Sequence, residues 1–342
     1  MNVNITPDNP CPTGEINRVV QGVTSTHLKE NKNDIMSVKN NMTYGLDIGG
    51  TKIEIGLFDN EMNIIDNWRV PTPTKNYQDF LNTIAELVNE ADERSGQQGS
   101  IGIGMPGIID KNSRVKSANV SCATGKPLVD DLKKVLGRNV IIANDCQLFA
   151  LSESNGGAGN KLPIVYGAII GTGAGGGLCI NGQLYKSTNN IAGEYGHLPA
   201  SGALLKKYNL PPRQCGCGLV GCIETYIAGP GLGWLYKHFG SDNDCTTQFV
   251  SDLRDKNPIA VKTFTCYMDL LGSAFSTLVL SYDPDMIVVG GGLSKIDEII
   301  EALPEAINKN LFTGIEPPLI SRALFGDSSG VRGAAIIGRK DA

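Results

Sequence analysis

The sequence predicts an α/β fold of two lobes that face one cleft, and three observations predict it. The most apolar strings, such as "IVYGAII" and "DMIVVGGGL", are short and end in glycine, as buried strands of a parallel sheet do. Three glycine-rich turns each follow an apolar strand directly. Residues 44–58, "YGLDIGGTKIEIGLF", also echo residues 166–180, "YGAIIGTGAGGGLCI", with Tyr, Gly, Ile and Gly coinciding at a constant offset. A duplicated strand–turn–strand unit would turn its two glycine loops toward a common cleft.

The elements follow in chain order. Residues 1–42 are polar, Asn-rich and aperiodic, and are expected to be a disordered leader, with Met36 and Met42 each suited to start the folded part. From Tyr44 an apolar strand, a Gly-Gly turn and an alternating strand succeed one another as in a β-hairpin. "NYQDFLNTIAELVNEADERSG" carries Phe80, Ile84, Leu87 and Ala91 at helical spacing and stops at Gly96. "SIGIGMPG" is a strand running into a turn, and "NVIIANDCQLFALSES" a strand entering a helix. Residues 258–281 form a long helix; "DMIVVGGGLS" is a strand with a glycine turn, and a further helix follows. The small N-terminal lobe is expected over 43–160, completed by a returning helix in 330–342, and the large C-terminal lobe over 161–329.

Composition narrows the partners. A chain of 342 residues can build two sizeable cores. No apolar run approaches the ~18–20 residues of a membrane span. The net charge of −5 and the absence of Lys/Arg-rich stretches argue against nucleic acid. Glycine supplies 42 of the 342 residues, well above the usual ~7%, which suits tight turns close to bound groups. The N-terminus shows no charged segment leading into an apolar one, so the cytoplasm is expected. There the nine cysteines are reduced, and clustered ones favour metal over disulfide. Six of them, Cys11, Cys122, Cys146, Cys179, Cys245 and Cys266, are scattered.

Backbone N–H groups hold phosphate oxygens well where no Cβ blocks the approach. "DIGGTK" offers Asp47, Gly49, Gly50, Thr51 and Lys52; "GTGAGGG" offers Gly171, Thr172, Gly173 and Gly175; "GGGLS" offers Gly291 and Gly292. One such run is as often a plain turn, but three in the same context favour phosphate. The GxxxxGK[ST] pattern is absent, and "GTGAGG" leads into a strand rather than the helix of a dinucleotide site. A nucleoside triphosphate shared between two lobes therefore fits better than NAD. "IIANDCQLF" sets Asn144 and Asp145 at the C-terminal end of a strand, the edge where open α/β sheets present ligands. A carboxylate there can take the proton of a hydroxyl attacking phosphorus; a helix N-cap is the plainer role, and the two are compatible.

"CGCGLVGC" supplies Cys215, Cys217 and Cys222, and His197 lies eighteen residues before the first of them. One His and three Cys make a tetrahedral zinc set with no open position, hence a structural site. A Cys215–Cys217 disulfide would close a strained ring, and a Cys217–Cys222 bridge is disfavoured in a reducing compartment.

The motifs "DIGGTK", "GMPG", "ANDC", "GTGAGGG", "GEYGH", "CGCGLVGCIE" and "DPDMIVVGGGLS" stand in the order and spacing of ROK sugar kinases, so residues 43 to about 340 resemble that family. Within it, "ANVSCATGKPLVDDL", "VGCIETYIAGPG", "RQCGCG" and "GDSSGVRGAA" are most similar to the bacterial N-acetyl-D-glucosamine kinases, with fructokinases the near rivals. The resemblance implies an actin-like, ribonuclease H-like fold with ATP between the lobes. The "DIGGTK" and "GTGAGGG" turns would hold its phosphates and "GGGLS" would flank the adenosine. Mg²⁺ would bridge phosphate oxygens with Asp47 nearby. Asp145 would be the base acting on the sugar 6-hydroxyl, and Asn119, Asn144, Asp145, Glu194, His197 and Glu224 would contact the sugar. His197 would bind zinc through one ring nitrogen and a sugar hydroxyl through the other. The acetamido group is expected against "NVSCATGK", and the chain as a homodimer. Cys146 departs from the family's usual alanine after the base. A fructokinase or glucokinase is the alternative. A sugar-responsive repressor is a poorer one, because the first 42 residues lack helical periodicity and positive charge.

Overall fold

The computed structural model describes residues 41–110 and 112–339, apart from the side chain of Asp327. Most of the expected leader, with Cys11 and Met36, lies outside the described residues. Met42 lies within them and is buried, and its carbonyl accepts from Ser100 N at 3.1 Å.

The first half of the described chain runs β1 (Thr43–Ile48), β2 (Lys52–Phe58), β3 (Ile64–Pro71), α1 (Tyr77–Ser95), β4 (Ser100–Met105), the short pair β5 (Ile108–Ile109) and β6 (Val115–Lys116), α2 (Leu128–Leu136), β7 (Val140–Asn144) and α3 (Asp145–Ser154). The second runs β8 (Ile164–Ile170), β9 (Ala174–Ile180), β10 (Gln183–Leu184), α4 (Gly202–Tyr208), α5 (Glu224–Ile227), α6 (Gly229–His238), α7 (Thr246–Arg254) and α8 (Pro258–Tyr282). It closes with β11 (Met286–Gly290), α9 (Asp297–Asn308), β12 (Leu319–Arg322) and α10 (Ser329–Arg339).

Two sheets carry the fold, ordered β3-β2-β1-β4-β7 and β10-β9-β8-β11-β12. Each is an antiparallel three-strand meander extended by two parallel strands. The connectivity is therefore the same twice, as the echo of 44–58 in 166–180 requires. Central strands are buried on both faces, so β1 and β8 read as apolar runs, while the edge strand β3 alternates half-buried and exposed residues. In α1, Asn76 Oδ1 accepts from Gln78 N at 2.8 Å and closes the free N–H end. Phe80, Ile84, Leu87 and Ala91 are all buried, and Gly96 ends the helix at φ 69°, a conformation other residues enter at a cost. One described helix, α8, is long and apolar enough to cross a membrane, contrary to expectation; 67% of its most apolar window is buried in the second core.

The sheets meet through two helices. Helix α10 lies on β1 and β4, α3 lies on β8 and β9, and the two pack on each other. Glycine permits this: a Cβ on Gly45 would stand 2.0 Å from Val331 O, and one on Gly102 1.9 Å from Ala334 O. Fully buried Glu153 ties the helices together, accepting from Ser329 Oγ at 2.8 Å and from the Leu324 and Phe325 amides at 2.9 and 3.1 Å.

Candidate active site

A cleft of about 560 Å³ opens between the sheets, within the range of small-molecule sites. Its wall includes Asn119, Asp145, Thr172, Glu194, His197 and Glu224, so residues from both halves converge. Strand β7 delivers Asn144 and Asp145 to the edge of the first sheet. Asn144 Oδ1 accepts from Cys146 N at 2.9 Å and Gln147 N at 3.2 Å, and its Nδ2 donates to Gly107 O at 3.0 Å. The helix-cap role thus falls mainly on Asn144. Asp145 adds one bond of its own, accepting from Cys146 N at 2.9 Å.

The site is rich in carboxylates that burial disfavours in their charged form. Burial pushes Asp145 up, with the Cys146 N–H opposing. Glu194 is raised by burial against the lowering effect of His197. Asp47, behind the first glycine turn, is pushed up to about 7, first by burial and then by the charges of Asp145 and Glu54. Carboxylates raised in this way are better proton acceptors at neutral pH than ordinary ones.

The three glycine turns are not equally placed. In the first, Gly49 N donates to Lys52 O at 2.8 Å and Thr72 Oγ1 donates to Gly49 O at 2.7 Å. A Cβ on Gly50 would lie 3.0 Å from Asn119 O, so Gly49, Gly50, Thr51 and Lys52 stand beside Asn119 at the cleft edge. In the second, Gly171 N donates to Gly173 O at 2.9 Å, and Thr172, Gly173 and Gly175 lie in the wall itself. The third adjoins the second: a Cβ on Gly171 would be 3.7 Å from Gly292 N. Gly291 has φ 84° and no room for a side chain beside Ile170 O. Gly292 opens on a separate cavity of about 620 Å³, shared with Thr246, Arg254 and Lys295.

His197, Cys215, Cys217 and Cys222 come together, their ligand atoms all within 4.8 Å of one another. Cys217 and Cys222 sulfurs are 3.6 Å apart, and His197 Nδ1 is 3.7 Å from Cys215 Sγ. A tetrahedron with Zn–S bonds of about 2.3 Å sets its sulfurs about 3.8 Å apart, so the donor set fits zinc. Bridges Pro199–Cys222 and Gln214–Val220 hold the loop, and Gly218 and Gly221 take its sharp corners at φ 94° and 85°. His197 Nε2 points the other way, 3.7 Å from Glu194 Oε2.

The stretch "NVSCATGK" contributes less to the cleft than expected. Only Asn119 of it lines the wall; Val120 and Ala123 are fully buried, and Ser121 and Cys122 turn to the carbonyls of Thr74 and Pro73. An acetamido pocket over that whole stretch is therefore not what the fold provides. Sequence reasoning missed Gly107, Ile108 and Lys116 as wall residues. The quoted "GMPG" held the signal for the first: Gly107 has φ 107°, and a Cβ there would fall 2.2 Å from Lys116 O. Cys146 also lines the wall, its sulfur 2.9 Å from where a Cβ on Gly175 would be.

Comparison with known proteins agrees with this geometry. Residues 43–341 match the ROK family. The chain is 48% identical over 297 residues to the N-acetylgalactosamine kinase AgaK of Shewanella sp. strain ANA-3, covering 87% of this chain and 96% of that protein. It is 43% identical over 299 residues to the N-acetyl-D-glucosamine kinase of Pectobacterium atrosepticum, covering 86% and 98%. Among solved structures, a ROK family glucokinase from Streptomyces griseus, in complex with glucose and AMPPNP, matches with TM-score 0.70 and 28% identity, over 88% of this chain and all of that one.

Proposed function

The chain belongs to the ROK family, and from that premise we propose that it transfers the γ-phosphoryl group of ATP to the 6-hydroxyl of N-acetyl-D-glucosamine. It is a sugar kinase of the actin-like fold. The observation that carries the reading is Asp145, a half-buried carboxylate at the end of β7, sharing one cleft with a glycine turn, Asn119, Glu194, His197 and Glu224.

In this reading Asp145 accepts the proton of the 6-hydroxyl as it attacks phosphorus. Asn119, Asn144, Glu194, Glu224 and His197 Nε2 orient the sugar, the carboxylates accepting from its hydroxyls. Amides of the turn at Gly171–Gly175, and Gly49 to Lys52 once the lobes close, hold the phosphates. Gly291 and Gly292 border the nucleoside. Asp47 would stand beside the Mg²⁺ carried in with ATP, which would supply charge neutralisation at the phosphates. His197, Cys215, Cys217 and Cys222 would hold zinc, which would supply rigidity rather than chemistry. The cytoplasm, which supplies ATP and keeps thiols reduced, is the compartment this reading requires.

The relative at 48% identity favours a second reading at the sugar, N-acetylgalactosamine. The two sugars share the acetamido group and differ in one hydroxyl configuration. An ADP-release assay over GlcNAc, GalNAc, ManNAc, glucose and fructose decides. GlcNAc should give the highest kcat/KM. A higher value for GalNAc moves the assignment to that epimer, a higher value for glucose or fructose removes the acetamido preference, and no release with any sugar removes the kinase reading.

A further inference from the structure

The second glycine turn is gripped at both ends by the segment that follows the metal clamp. Glu224, two residues after the ligand Cys222, accepts from Ala174 N through Oε2 at 3.1 Å. Its other oxygen, Oε1, stands 3.1 Å from Sγ of the ligand Cys215. Farther along the same segment, Gly229 N donates to Gly171 O at 2.7 Å. On the other flank, Gly196 precedes the ligand His197 and lies so close that a Cβ there would be 2.0 Å from Ala174 O. The segment after Cys222 therefore holds the turn by hydrogen bonds, and the residue before His197 packs against it. The first glycine turn, by contrast, is closed by its own Gly49–Lys52 bond and by Thr72.

We propose that Glu224 is a positioning residue that couples the metal clamp to the phosphate-binding turn at Gly171–Gly175, so that metal occupancy sets nucleotide affinity as well as sugar affinity. The clamp fixes the start of the 222–229 segment. Glu224 and Gly229 then fix the turn, whose amides must point at phosphate oxygens without rearranging. Without metal the loop at 215–222 loses its cross-links, and the Ala174 amide loses a fixed acceptor. The coupling rests on the reading of this turn as the phosphate site.

The test is a cycle of metal removal and mutation, read by ADP binding without sugar and by amide exchange. In zinc-loaded wild type, chelation should weaken ADP binding at least about fivefold, the scale of one ordinary hydrogen bond. It should also speed exchange at Ala174 but not at Gly49. Zinc-loaded Glu224→Ala should already bind ADP that weakly, and chelation should change it less than about twofold. Glu224→Gln keeps an oxygen for Ala174 N and should stay within about threefold of wild type. If Glu224→Ala does not fold, the exchange data on wild type and Glu224→Gln decide. The coupling is overturned if chelation lowers sugar affinity while ADP affinity and Ala174 exchange stay put, or if Glu224→Ala responds to chelation as wild type does. ADP binding too weak to detect in zinc-loaded wild type would remove the phosphate reading itself, and the coupling with it.

Discussion

The two halves share a frame but place their acids differently. The offset that lays Tyr44 on Tyr166 lays Asp47 on Ile169. In the first sheet the strand brings the acid, and the helix packed on that sheet, α10, carries Gly330 in its first turn, where a Cβ would stand 2.6 Å from Asp47 Oδ2. In the second sheet the strand brings apolar Ile169, and the helix packed on that sheet, α3, opens with Asp145. Duplication supplied two hairpins, two turns and two helices; the chemistry comes from breaking the symmetry. Two acids at equivalent positions would each need the same space and the same counter-charge. Here one rises on a strand and the other descends on a helix, near enough that the charge of Asp145 helps raise Asp47.

The largest break in this comparison is Asp145→Asn, which removes the acid on the helix of the second sheet and keeps its shape. The amide oxygen can still accept from Cys146 N, and Asn144 still caps α3. A general base contributes about 10²–10⁴-fold, so kcat should fall by at least the lower figure while sugar affinity by calorimetry changes little. Unchanged kcat would leave Asp145 a helix-start residue and move the base elsewhere. The same variant carries a stability signature. Because the folded state raises the Asp145 carboxyl, its charged form opposes folding, fully above the folded-state value and not at all below the ordinary value near about 4. Asp145→Asn should therefore melt higher than wild type at pH 8, with the gap closing as the pH falls toward 4.

Gly330→Ala tests the first half. The added methyl meets the free end of the Asp47 side chain, so the carboxylate shifts and the backbone need not. A misplacement of about 1 Å can cost up to about 10²-fold, and kcat should drop about 10- to 100-fold. Melting should move by only a few degrees. An unchanged kcat would mean that the position of Asp47 does not matter to transfer.

Much of this asymmetry was legible in the sequence, and what was not has a common cause. The echo gave the paired hairpins, and Cys215, Cys217, Cys222 and His197 declared themselves by type and spacing. Asp145 stood out because a strand ends there. Each of those signals is local. Glu153 sits inside an ordinary helical stretch and gives no sign that it is fully buried beneath residues 324–329, more than 170 positions away. The Glu224 contact to Ala174 spans 50 positions. "NVSCATGK" misled because small polar residues look like a ligand loop, whereas Val120 and Ala123 anchor that loop in the first core. Long-range packing decides which face a loop shows, and one sequence does not record it.

The smallest effect concerns where the first half begins. Its counterpart strand, β8, starts with Ile164 N held by Asp285 Oδ2 at 2.8 Å, an anchor from elsewhere in the chain. Strand β1 has its anchor in the preceding residue, since Met42 is buried and its carbonyl takes the Ser100 amide. A chain beginning at Met36 keeps that anchor inside an intact peptide, and should hold kcat, KM and melting temperature, the kinetic constants within about twofold, or roughly 0.4 kcal/mol. A chain beginning at Met42 keeps the carbonyl but puts a charged amine on a buried residue. That should cost on the order of 1 kcal/mol, a fall of about 2–4 °C in melting temperature, with kcat unchanged because the cleft lies at the other end of β1. If the Met36 form already loses kcat or melts much lower, the first 35 residues support the first half in a way that nothing in the second half repeats.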